Sequence, residues 1–226
     1  SEFKFAGVNP CAEEPLPAGG SCLLGAINLS AFVKNDKFDF DNFAETVARA
    51  VKALNEVLDE GLELHPLFEQ RESVADWRQI GLGIFGLADM LIKMGMEYGS
   101  ADSIVLCDRI GFVMADTAIG TSAYLARDKK PYNKFKPEAL DKNLYFIENT
   151  REETKRAVKR FGLRNSQLLT IAPTGSISTM LGVSGGIEPI FDTSYTRKTE
   201  SLHGKDQYYE VYTPIVKAYL DSNAVI

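Results

Sequence analysis

The chain has 226 residues, 45% of them hydrophobic, enough for one large domain or two small ones with a sizeable core. Its 25 basic and 31 acidic residues leave a net charge of -6, so no basic face for nucleic acid is expected. No apolar run approaches the roughly 18 residues that span a bilayer, and no secretory leader is seen. The expectation is a cytoplasmic, globular protein with no nucleic-acid or membrane partner.

In chain order, the first thirty residues read as loop and a following strand, with Pro10, Pro15 and Pro17 ahead of Gly19 and Gly20. Residues 31–165 read as mostly helical. An amphipathic helix is predicted over 41–60, its stripe being Phe43, Val47, Val51, Leu54 and Leu58, with Gly61 as its stop. A second is predicted over 74–95 with Ile84, Leu87, Leu91 and Met94 on one side. A third opens near Ser100 and runs towards Arg127, with Ile104, Cys107, Ile110, Met114, Ala118 and Leu125 as its stripe. Thr150 and Glu153 form a capping box for a fourth, which ends at Gly162. Residues 166–226 change character. Gln167 to Ala172 reads as a short buried strand, 190–199 as another, and 213–220 as a last helix. Long helices between short apolar strands indicate an α/β domain.

The three cysteines, Cys11, Cys22 and Cys107, include no Cys-x-x-Cys pair, and His65 and His203 are isolated. A disulfide framework, a metal site or a histidine-based triad is therefore not expected. Cys107 falls on the apolar stripe of its helix, where a cysteine acts as a small hydrophobe.

Three constellations could carry chemistry. Gly81-Leu82-Gly83-Ile84-Phe85-Gly86 matches the dinucleotide fingerprint G-x-G-x-x-G, which works only after a buried strand. Val74 to Ile80 is not strand-like, so the stretch reads as a helix whose small residues admit a close neighbour. Pro173-Thr174-Gly175-Ser176-Ile177-Ser178 is the reverse case, following a plausible strand and opening a plausible helix. Free N–H groups there, with the hydroxyls of Thr174, Ser176 and Ser178, suit a phosphate, although an ordinary helix cap fits the spacing as well. Finally, alternation along an extended Asn9-Pro10-Cys11-Ala12-Glu13 puts Asn9, Cys11 and Glu13 on one side. A carboxylate beside a thiol disfavours the thiolate, which suits hydrogen-atom chemistry better than nucleophilic attack. On spacing alone, a proline-rich surface loop with a buried cysteine explains the same residues.

Together and in this order, these segments resemble the catalytic subunit of ribonucleotide reductases. Asn9-Pro10-Cys11-Ala12-Glu13 is similar to that family's Asn-x-Cys-x-Glu finger loop, and Ser21 to Leu29 to the segment carrying a redox cysteine. Ile80 to Ala88 resembles a glycine-rich helix, Ala172 to Ser178 the substrate-phosphate loop, and Gly185 to Pro189 the Gly-Ile-Glu-Pro stretch. The resemblance implies part, about half, of a ten-stranded α/β barrel, helix-rich, with an N-terminal finger loop. It implies that Cys11 becomes the thiyl radical that abstracts the ribose 3′ hydrogen, that Glu13 takes the 3′-hydroxyl proton, and that Asn9 orients the sugar. Cys22 would be one of two reducing thiols, and Pro173, Thr174, Gly175, Ser176, Ile177 and Ser178 would hold the substrate phosphates.

Further implications of the resemblance are a ribonucleotide di- or triphosphate substrate, a thioredoxin-like reductant acting through a C-terminal cysteine pair, and a homodimer. The wording of the finger and phosphate loops is closest to adenosylcobalamin-dependent members; the alternative is a radical from a metal-containing partner subunit. The finger loop lies mid-chain in the family, so the first half-barrel is expected to be missing here, with residues 1–20 poorly restrained and the chain inactive by itself. The competing readings are a cysteine hydrolase using Cys11 and Glu13, and a non-catalytic phosphate-binding module.

Overall fold

The computed structural model describes residues 3–21, 23–199 and 204–223, so Cys22 and His203 lie outside the described residues. A hairpin of β1 (Phe5–Val8) and β2 (Pro15–Pro17) comes first, then β3 (Leu24–Asn28). A 3-10 turn at Leu29–Phe32 and a small ribbon of β4 (Val33–Lys34) and β5 (Lys37–Phe38) lead to α1 (Phe40–Leu64) and α2 (Phe68–Trp77). Next, β6 (Gly81–Phe85) lies parallel to β3, in register from Leu24↔Gly81 to Asn28↔Phe85. Four helices follow: α3 (Leu87–Lys93), α4 (Ala101–Lys129), α5 (Leu144–Glu148) and α6 (Glu152–Phe161). The chain then returns along the free edge of β6, where Leu169 makes a parallel bridge to Leu82. It continues into α7 (Gly175–Leu181), an antiparallel ribbon of β7 (Ser194–Thr199) and β8 (Gln207–Tyr212), and α8 (Pro214–Asn223).

The result is the expected α/β class: three parallel segments joined by helical crossovers, as parallel strands require. Among the described residues no sheet closes on itself. Because the three segments run the same way, the chain after each of them leaves at one end: Asn28, Gly86 and Pro173 all lie there. Loops at that end are the usual place for a site in such folds.

The core follows the α1 stripe, with Phe43, Val47, Val51, Leu54 and Leu58 all buried as expected. α1 nevertheless runs through Gly61 and stops at Leu64, because Pro66 disfavours helical geometry at His65. α4 begins as predicted, the Ser100 hydroxyl accepting from the Ser103 N–H at 3.2 Å. Its inner face is built from Ala115, Ala118 and Ala123, all fully buried, which lets α1 and α6 approach; Ile104, predicted inside, is 60% exposed. The predicted capping box at Thr150 is not formed. Thr150 donates to the Phe146 carbonyl at the end of α5, and Asp116 on α4 accepts the Arg151 N–H at 2.8 Å instead.

The main correction concerns 74–95. Gly81–Phe85 is a strand, not part of a helix, and it lies between two parallel neighbours. A Cβ at Gly83 would stand 2.6 Å from the Thr170 carbonyl oxygen, and one at Gly81 would meet Leu24 and Thr170 side-chain carbons at 2.7 Å. The glycines do admit a close neighbour, as expected, but that neighbour is a strand. β8 was also not foreseen; it pairs with β7 from Ser194↔Tyr212 to Thr199↔Gln207.

At the opposite end of the strands a polar cluster locks α1 to α4. Asp59 meets Arg78 at 2.6 Å, Lys129 at 3.0 Å and Arg164 at 3.3 Å. Burial by itself raises the Asp59 carboxyl, but the Lys129 hydrogen bond and the Arg78 and Arg164 charges hold it below its ordinary value. Buried Asn55 and Asn165 exchange hydrogen bonds at 3.1 and 3.0 Å, and Asn165 also donates to the Arg78 carbonyl at 2.9 Å. Both buried side-chain amides there have partners, while the Nε groups of Arg78 and Arg164 are buried without one among the described residues.

Candidate active site

The finger segment is a closed hairpin rather than a simple extended strand. Val8 pairs with Pro15, the Asn9 N–H donates to the Glu14 carbonyl at 3.2 Å, and the Ala12 N–H donates to the Asn9 carbonyl at 2.9 Å. Asn9 Oδ1 accepts the Glu14 N–H at 2.9 Å, so this side chain, 6% exposed, closes the turn. Ala12 sits at φ 63°, which ends the simple alternation expected over 9–13. Cys11 is consequently exposed rather than buried, at the tip of the hairpin. Glu13 follows it half-buried, and both its carboxylate oxygens are buried without a hydrogen bond among the described residues. An acceptor left this way is costly unless something else meets it.

Three side chains fasten the hairpin to the parallel segments. Thr170 Oγ1 donates to the Glu13 carbonyl at 3.0 Å. Gln79 Nε2 and Gln167 Nε2 both donate to the Pro15 carbonyl, at 3.2 and 3.1 Å, and Gln79 also donates to Gln167 Oε1. From Gln167 to Thr170 the strand runs towards its C-terminal end, and from Pro15 to Glu13 the hairpin runs the same way. The tip that carries Cys11 therefore points to the end of the strands where the second loop lies.

That loop opens a helix as expected, but the segment before it is not the buried strand predicted over Gln167 to Ala172: it bridges β6 only at Leu169, and Ile171 is exposed. Thr174 is the left-handed residue (φ 52°) from which α7 springs, and the first-turn amides of a helix have no partner within it. The hydroxyls are distributed differently from the expectation. Thr174 Oγ1 donates to the Pro173 carbonyl at 2.7 Å and accepts the Gly186 N–H at 2.9 Å. Ser178 is buried and donates to the Gly175 carbonyl at 3.2 Å. Ser176 and Gly175 are exposed, as is Ile177. Thr174 and Ser178 thus shape the loop, and the exposed Ser176 hydroxyl faces no such requirement.

The segment after α7 is held from the β6 side. The Gly86 N–H donates to the Ser184 carbonyl at 2.8 Å, and buried Asp89 accepts the Ser184 N–H at 2.7 Å. Tyr98 donates to the Ile187 carbonyl at 2.5 Å. A cavity of about 500 Å³ opens here, bordered by Pro173, Gly175, Ser178, Ser184, Glu188 and Asp89. Sequence reasoning missed Asp89, Gln79, Gln167 and Thr170. The signal for Asp89 was an acid inside the apolar run Leu87 to Ile92; the other three carry none.

Cys107, expected to be buried, is half-buried on a second, largely apolar cavity of about 500 Å³ with Leu82, Ile84, Met114 and Leu169, and burial pushes its thiol pKa up. Among the described residues no group of three His, Cys, Asp or Glu side chains gathers as a metal site, and no helix is long and apolar enough to cross a membrane.

Comparison with known proteins identifies relatives of this chain. The family model "Ribonucleotide reductase, barrel domain" matches residues 4–225. A vitamin B12-dependent ribonucleoside-diphosphate reductase of Thermoplasma acidophilum is 36% identical over 88% of this chain and 23% of the relative. One of the same name from Mycobacterium tuberculosis is 32% identical over 88% of this chain and 26% of the relative. A ribonucleoside-diphosphate reductase subunit alpha of Chlamydia pneumoniae is 28% identical over 80% of this chain and 19% of the relative. The chain thus spans about a quarter of the length of these relatives or less. The comparisons give no support to a cysteine hydrolase or a non-catalytic phosphate module. A match over nearly the whole chain, with the finger hairpin and the strand-to-helix loop at one end of its parallel strands, places this chain in the ribonucleotide reductase barrel-domain family.

Proposed function

We propose that this chain is one piece, residues 1–226, of a ten-stranded reductase barrel, and that it reduces ribonucleoside diphosphates as part of the whole protein. Cys11 acts as a thiyl radical that takes the 3′ hydrogen of the ribose and returns it at the end of the cycle. Glu13 accepts the 3′-hydroxyl proton as the 2′-hydroxyl departs as water, the proton for that water coming from a thiol. Cys22 and a second thiol supply two electrons and become a disulfide, so one nucleotide and two thiols give one deoxynucleotide, one water and one disulfide. The Glu13 carboxylate suits a general base, since among the described residues its buried oxygens have no partner to compete with a substrate hydroxyl. Asn9 Oδ1 is engaged by the Glu14 N–H, so Asn9 would orient the sugar through its Nδ2 donors. Pro173 to Ser178 hold the phosphates chiefly through the first-turn amides of α7 and the Ser176 hydroxyl.

The names of two relatives point to adenosylcobalamin as the radical source, which when bound supplies the oxidising equivalent that removes a hydrogen atom from a thiol. Exposed Cys11 is open to such a donor. A metal-containing partner subunit would meet the same exposed thiol. A thioredoxin-like reductant, a cytoplasmic location and a homodimer complete the proposal.

The observation that carries this reading is the Thr170–Glu13 hydrogen bond, which joins the cysteine hairpin to the strand that runs into the phosphate loop. In the full-length protein, Cys11→Ala should abolish deoxynucleotide formation while nucleotide binding stays within about twofold. Substantial turnover in that variant would end the radical assignment.

A further inference from the structure

We propose that Thr170, assisted by Gln79 and Gln167, is a positioning residue that sets how far the Cys11–Glu13 tip extends over the phosphate loop. The inference rests on the reading of Cys11 and Glu13 above and goes beyond it by naming what fixes their distance from the substrate.

The hairpin and the third parallel segment lie 157 residues apart in the chain at the Thr170–Glu13 contact, so no local geometry sets their register. Their relative height depends on contacts between them. Two carbonyls of the hairpin, Glu13 and Pro15, are two residues apart and so face the same side of an extended chain. Thr170 grips the first at 3.0 Å, and the amides of Gln79 and Gln167 grip the second at 3.2 and 3.1 Å. A slip of the hairpin by one residue would turn the accepting carbonyls away and break all three bonds, so only one height satisfies them.

Thr170 is itself seated firmly. It is buried, its N–H donates to the Leu82 carbonyl at 3.1 Å, and its backbone occupies the space left by the missing side chain of Gly83. Three residues on, the same strand reaches Pro173, the first residue of the phosphate loop. One continuous segment, bridged to β6 at Leu169, thus carries the grip on the hairpin and the loop that would hold the substrate phosphates. A nucleotide anchored on that loop would find Cys11 at a distance fixed by Thr170. Hydrogen-atom transfer needs the reacting atoms near contact, and a misplacement of about 1 Å can cost about a hundredfold in rate.

The test uses the full-length protein. Thr170→Val keeps the branched shape and removes the donor, and Thr170→Ser keeps the donor. Expected for Thr170→Val is a fall in kcat of about ten- to a hundredfold, with nucleotide Kd within about twofold and the protein still folded at the assay temperature. Thr170→Ser should recover kcat to within about threefold. Gln167→Met, at a partly exposed position, should lower kcat in the same direction by a smaller factor and serves if Thr170→Val fails to fold. Unchanged kcat in Thr170→Val, or in Gln167→Met where that variant has to serve, overturns the proposal. So does a loss of kcat matched by an equal loss of nucleotide affinity, which would mean a merely structural role. Failure of the underlying reading is seen separately, as activity in Cys11→Ala.

Discussion

Thr174 and Gly186 are twelve residues apart and joined by one hydrogen bond, the Gly186 N–H donating to Thr174 Oγ1 at 2.9 Å. Gly186 is buried and Thr174 holds a positive φ, uncommon for a β-branched residue, so the bond closes the loop over α7 around a strained residue. Thr174→Val should leave that N–H unpaired at a cost of roughly 1–3 kcal/mol. Thr174→Ser keeps the hydroxyl and should be close to neutral. Calorimetric titration with a nucleoside diphosphate should show weaker binding for the valine variant and near-normal binding for serine.

The two glycines of β6 should differ in their tolerance of a methyl group. At Gly83 the added Cβ meets a backbone carbonyl at 2.6 Å, whereas at Gly81 it meets the ends of Leu24 and Thr170 side chains at 2.7 Å. Side chains can turn away and a strand cannot. Gly83→Ala should therefore destabilise by roughly 1–3 kcal/mol, and Gly81→Ala by less. Thermal unfolding of the two variants, compared side by side, checks the order.

Asp59 should confer a pH-dependent part of the stability. Its carboxyl is held below its ordinary value in the folded state, so its contribution is present above the unfolded carboxylate range, near about 3.9, and is lost as pH falls through the folded value. Asp59→Asn leaves Arg78, with its side chain 4% exposed, short of its counter-charge. Because Asp59 is itself partly exposed, the loss at pH 7 should be roughly 1–3 kcal/mol, less than for a fully buried pair. Urea unfolding at pH 7 and at pH 3 should show the gap between variant and parent narrowing in acid.

Cys11 and Cys107 should separate by reactivity. Cys11 is exposed, while Cys107 is half-buried on an apolar cavity that raises its pKa. Brief alkylation with iodoacetamide at pH 7.5, read by peptide mass mapping, should label Cys11 well ahead of Cys107. Unfolding in urea should bring Cys107 to a comparable rate.

The sequence by itself determined the α/β class, the α1 stripe from Phe43 to Leu58, the Ser100 cap, the stop at Gly162, and the helix start within Pro173 to Ser178. Each rests on residues within about one helical turn or one strand step of each other, so local periodicity carries them. Only the tertiary structure decided that Gly81 to Phe85 is a strand. Its glycines lack β-forming side chains, and the reason for them, a strand approaching at Thr170, lies almost ninety residues further on. The site divides in the same way. The kinds of residue at Asn9, Cys11, Glu13 and Thr174 were legible, but not that Asn9 closes a turn, that Cys11 is exposed, or that Thr174 ties down Gly186. Those depend on which distant groups face each hydroxyl and amide, a choice made only when parallel segments separated by helical crossovers pack side by side.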